Sequence, residues 1–63
     1  MNQSLINARK KMGLTQVQTS NLANITERTY QAYEAGRQTP RTDIAIRIAQ
    51  VLNTSVEILF STK

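Results

Sequence analysis

The sequence predicts an all-α fold, a compact bundle of five short helices, from three observations. A helix terminator and a helix cap recur together at Gly13-Leu14-Thr15, Asn24-Ile25-Thr26 and Asn53-Thr54-Ser55. Between these points apolar residues recur at helical spacing. No strand signal competes, and there is no repeat, linker or low-complexity tract.

In each triplet the Gly or Asn can take the left-handed conformation that stops a helix. Two residues later a hydroxyl can accept a hydrogen bond from an unpaired amide of the next helix. Leu14 and Ile25, just ahead of their caps, can staple the entry to the new helix. Gly36 ends the third helix, and Thr39-Pro40 marks the turn into the fourth. The helices therefore span about 2–12, 16–23, 27–35, 42–52 and 56–61.

Each helix has a face to bury. Leu5, Arg9 and Met12 share one face of the first, and Ile44, Ile48, Val51 and Leu52 share one face of the fourth. Val56, Leu59 and Phe60 are the apolar set of the last. In the third, Tyr30 and Tyr33 lie one turn apart on an inner face, which leaves Glu27, Arg28, Gln31 and Ala32 outward. A polar stripe at a helix start is what a DNA major groove can accept and read.

Size and composition narrow the function. At 63 residues the chain is one domain, 1–63, near the lower limit at which a core alone sustains a fold. With no Cys and no His, disulfides, thiolate zinc sites and the usual general bases are missing, so no metal or cofactor is expected. An ordinary reducing cytoplasm suits such a chain. No apolar run approaches the roughly 20 residues that span a bilayer, and MNQSLINARKK is polar where a signal peptide needs an apolar stretch. A soluble, intracellular protein without a membrane partner is expected.

Eight Lys or Arg against four Asp or Glu give a net charge of +4, which suits a polyanionic partner. Lys10, Lys11, Arg28, Arg37 and Arg41 fall at helix ends or in turns expected to border the outward stripe. Glu27, Glu34, Asp43 and Glu57 are scattered over separate faces, so no nucleophile and base can be paired and an enzyme is not expected. No glycine-rich phosphate loop, metal loop or small-molecule substrate site is evident.

From Leu5 to Phe60 the chain resembles the Cro/CI type (XRE type) of helix-turn-helix regulator, found in phage repressors, restriction-modification controllers and many bacterial antitoxins. The resemblance is carried by Arg9, Gly13-Leu14-Thr15-Gln16, Ile25-Thr26, Arg28-Thr29-Tyr30, Tyr33-Glu34, Gly36, Pro40, Ile48-Ala49, Leu52 and Ser55-Val56. It implies a lambda-repressor-like bundle whose helix-turn-helix unit spans about 15–36. It also implies a sequence-specific regulator of transcription that binds double-stranded DNA as a homodimer, with the third helix of each protomer in the major groove. Without an effector or activation domain, repression by occluding polymerase is the simpler expectation.

By position, the resemblance assigns base contacts to Glu27, Arg28 and Ala32, with Gln31 as a further reader. Gln16 resembles the family's phosphate-contacting Gln at the start of the second helix. Thr26, Lys10, Lys11, Arg37 and Arg41 are further candidates for the DNA backbone. Arg9 and Glu34 resemble an ion pair that links the first and third helices. With no separate dimerisation domain, the turn and last helix, Thr54, Val56, Glu57 and Phe60, are the expected dimer contact, with core packing as the competing role of Val56 and Phe60. Glu27 can accept from cytosine N4, or simply favour the helix dipole.

The chain departs from the family pattern in its second helix, where Thr19 and Ser20 replace a bulky apolar residue and an alanine and should loosen the packing. Asn24 stands for the commoner turn glycine. Ala32 offers only a methyl, able to meet a thymine methyl. The rival reading is a protein-interaction module that holds a partner as antitoxins hold toxins; the polar outer face of the third helix argues against it.

Overall fold

A computed structural model describes residues 1–60 and contains five helices: α1 (Gln3–Lys11), α2 (Gln16–Leu22), α3 (Glu27–Ala35), α4 (Thr42–Val51) and α5 (Val56–Phe60). Among the described residues there is no strand. Each described helix end lies within one residue of its expected position; residue 61, expected to close the last helix, lies outside the described residues.

One backbone device ends the first four helices. Gly13, Asn24, Gly36 and Asn53 have φ of 72°, 60°, 81° and 55°. In each case the following amide reaches back five residues to a carbonyl of the finished helix: Leu14 to Arg9, Ile25 to Ser20, Arg37 to Ala32 and Thr54 to Ala49, at 2.9–3.2 Å. This bond pattern with a left-handed residue satisfies carbonyls that the helix end leaves open. At Gly36 there is a second constraint, because a Cβ there would stand 3.0 Å from the Met1 backbone nitrogen.

The caps begin the next helices. Thr15 Oγ1 accepts from the Gln18 amide at 3.0 Å, and Gln18 Oε1 accepts in return from the Thr15 amide at 2.9 Å. Thr26 accepts from the Thr29 amide at 3.1 Å and Ser55 from the Ile58 amide at 3.2 Å. Each such cap contributes about 1 kcal/mol. Arg41 precedes α4 without a side-chain cap.

The core joins four helices and the C-cap of α2: Leu5, Ala23, Tyr30, Tyr33, Ile48, Ala49, Leu52 and Leu59 are buried together, with Leu14, Ile25, Val51 and Val56 packed at its edge. α5 packs against α1 and α4, while α3 is held by α2 and α1. Met12, expected on the inner face of the first helix, is instead 45% exposed. Met12 is the C-cap of α1 and lines an open cleft with Lys11, Leu52 and Ile58 instead of entering the core.

Thr19 and Ser20 are fully buried. Their hydroxyls donate to the Thr15 and Val17 carbonyls at 2.9 and 2.8 Å, so the polar atoms are satisfied within their own turn of helix. The packing here is close, not open as the substitution of smaller polar residues suggested.

Two long-range ties have no counterpart in the sequence reading. Arg47 of α4 donates from Nε to the Ala23 carbonyl at 3.0 Å, occupying the C-terminal end of α2 with a cation, the charge a helix end favours. Asn2 caps α1 through Oδ1, donates from Nδ2 to the Leu59 carbonyl at 2.9 Å, and donates from its backbone amide to the Glu34 carbonyl at 2.8 Å. It thereby ties the start of α1 to the ends of α5 and α3.

Candidate nucleic-acid interface

The inner face of α3 is committed to the core. Tyr30, Tyr33 and Glu34 are 0%, 5% and 4% exposed, which fixes the rotation of the helix about its axis. Its first turns therefore present Glu27, Arg28 and Gln31 to solvent. Arg28 makes no hydrogen bond or ion pair with any described residue.

Ala32 is a correction to the sequence reading. It is 7% exposed and does not belong to the outward stripe. Ala32 lies one turn before the end of α3, where the Arg37 and Gln38 amides both donate to its carbonyl, and its single methyl does not reach the surface.

Beneath the stripe lies an ion pair. Arg9 Nε donates to Glu34 Oε2 at 2.6 Å, Arg9 Nη2 approaches Oε1 at 3.4 Å, and Arg9 Nη1 donates to the Leu14 carbonyl at 2.9 Å. α1, the turn into α2, and α3 are thus held by one guanidinium. Burial alone would raise the Glu34 carboxyl, but Arg9, with Gln16 as a further donor, holds it below the ordinary carboxylate range. The hydrogen bond to Glu34 raises Arg9, against the opposing effect of burial.

The Tyr30 hydroxyl is buried beside this pair without completing a hydrogen bond. Burial first, and then the neighbouring carboxylate, push its phenol far above the usual tyrosine range.

Amide side chains extend from the ion pair to the surface. Gln16, half-buried at the start of α2, donates from Nε2 to Glu34 Oε1 at 3.0 Å. Gln31 Nε2 lies 3.4 Å from Gln16 Oε1 and 3.3 Å from Glu27 Oε2. The Gln16–Glu34 and Gln16–Gln31 spacings depend on α2 and α3 being packed together, so a sequence pattern could not reveal them.

The remaining candidates are dispersed. Lys10 is exposed in the last turn of α1, and Arg37 is exposed beyond α3. Lys11 is exposed and lines a cleft with Ala8, Met12, Leu52 and Ile58. Arg41 pairs with Asp43 at 3.0 Å, with both side chains largely exposed, an interaction of small net value. Thr26 Oγ1 is occupied as the α3 cap but remains exposed. Around α5, Thr54, Val56 and Phe60 are half-buried and Glu57 is exposed, and Ile58 adds an apolar side chain that is 62% exposed.

Two helices joined by the tight Asn24 turn, the second presenting its polar start, define a helix-turn-helix protein. A family model described as helix-turn-helix matches residues 5–59. The chain belongs to this family, of the Cro/CI (XRE) type, and is a DNA-binding regulator. Comparison with curated proteins and with solved structures finds no significant match. No helix of the described residues is long and apolar enough to cross a membrane.

Proposed function

We propose that the protein is a homodimeric transcriptional repressor that inserts α3 of each protomer into successive major grooves of a near-palindromic site. The observation that carries this reading is the unpartnered Arg28 at the exposed start of a helix whose opposite face is locked into the core. A guanidinium can pair with guanine O6 and N7 together. Gln31 and Glu27 flank it as further readers. Gln16, Thr26, Lys10, Arg37 and Arg41 hold phosphates, which position the helix but carry no base preference.

Selection from random duplexes tests the assignment. Arg28→Ala is expected to lose a guanine preference at one position of each half-site, roughly 5- to 150-fold, while other positions keep theirs. Equal weakening on all sequences, with the preferred site unchanged, would remove Arg28 as the reader.

Pairing follows from the small surface one helix buries, since two half-sites about one DNA turn apart multiply the affinity. The proposed contact is Thr54, Val56, Glu57 and Phe60, extended by the exposed Ile58. Sedimentation on operator DNA is expected to give two protomers per site. A single bound protomer at saturation would rule the dimer out.

A further inference from the structure

The chain of amides between Glu34 and the surface has a direction, set by its buried end. An ionised carboxylate only accepts hydrogen bonds, and Arg9 keeps Glu34 ionised at neutral pH. Gln16 must therefore turn its Nε2 inward, because the opposite orientation would set Oε1 against carboxylate oxygen. That leaves Gln16 Oε1 as an acceptor facing Gln31. Gln31 in turn faces two acceptors, Gln16 Oε1 and Glu27 Oε2, and must offer Nε2 to both. Its Oε1 remains, with no donor among the described residues.

We infer that Gln16 and Glu34, neither of which need touch a base, are specificity-determining positioning residues: they hold Gln31 so that it presents an acceptor, not a donor, to the major groove. The inference rests on the DNA-reading function proposed above. Major-groove donors are adenine N6 and cytosine N4, whereas guanine and the thymine carbonyl present acceptors. Beside an Arg28 that supplies only donors, the protein then carries a donor and an acceptor in fixed order along α3. Without the anchor, the Gln31 amide is held only by the exposed Glu27 of its own helix, and its discrimination falls.

The test is selection from random duplexes with the full chain and with Gln16→Met and Gln31→Met. The position at which Gln31→Met erases a preference identifies the base that Gln31 reads. There the wild type is expected to favour one base pair, roughly five- to ten-fold for a single hydrogen bond, through the exocyclic amino group of its adenine or cytosine. Gln16→Met is expected to flatten that one preference while the guanine preference of Arg28 stays intact. Loss of a phosphate contact alone would instead weaken all sequences equally, and that result in Gln16→Met overturns the proposal. A preference at the Gln31 position that survives removal of the exocyclic amino group from the adenine or cytosine of that base pair, or a Gln31→Met profile identical to wild type, overturns it as well. Gln31 is exposed, so its variant reports even where Gln16→Met folds poorly. A wild type without preference at any position removes the DNA-reading function itself, a result distinct from failure of the anchor alone.

Discussion

Glu34→Ala is expected to destabilise the fold by about 3–5 kcal/mol, because it leaves the Arg9 guanidinium buried without its counter-charge. A core of this size rarely supplies more than about 3–5 kcal/mol in total, so the variant should be largely unfolded at room temperature. Urea denaturation followed by circular dichroism measures the loss. A variant carrying apolar residues at both positions, Arg9→Met with Glu34→Leu, should recover much of it, since no unpaired charge then remains. If the double variant is as unstable as Glu34→Ala, packing by the two side chains, not charge pairing, explains the cost. Glu34 also gives the fold an acid limit. Its carboxyl lies below the ordinary value of 4.5 in the folded state, so its contribution is present above that value and is lost as pH falls through the folded-state pKa. The gap between wild type and Glu34→Gln should accordingly narrow below about pH 4.5.

Tyr30→Ala is expected to cost about 3–5 kcal/mol, the range for emptying a buried aromatic site. Tyr30 is the largest of the fully buried side chains, and it sits where the helix-turn-helix pair meets the rest of the core. Tyr30→Phe separates the ring from the hydroxyl. Because that hydroxyl is buried without a completed hydrogen bond, its removal should change stability by less than about 1 kcal/mol. A loss above about 2 kcal/mol in Tyr30→Phe would mean that the hydroxyl donates to Glu34 in solution.

The two predictions separate what a core residue and a buried charge contribute to presenting α3. Neither variant alters an exposed side chain of the outward stripe. Reduced DNA binding in Tyr30→Ala should therefore follow the folded fraction, whereas the folded part of Glu34→Ala should also lose the preference held through Gln16 and Gln31, and Arg28→Ala acts on binding with the fold intact.

Much of this architecture was legible before any coordinates. Helix ends depend on residues within about five positions of one another, through left-handed stops and side-chain caps, so the Gly13, Asn24, Gly36 and Asn53 stops follow from local chemistry alone. The inward faces of α3 and α4 follow from periodicity in the same way, because Tyr30, Tyr33 and Ile48 each fall on the helical period.

Local chemistry cannot say what a distant segment covers or reaches. Ala32 looks outward on a helical wheel, yet it is buried in the folded chain. Arg47 resembles any surface cation until the end of α2 arrives beside it, and Gln16 and Gln31 become one hydrogen-bond chain only when α2 and α3 pack. The sequence by itself determined where helices begin, end and turn their apolar faces, since those are short-range properties of the backbone. Tertiary structure alone decided which polar groups are shielded, bonded or free to meet DNA, because solvent exclusion and hydrogen-bond distance are set by elements far apart in the chain.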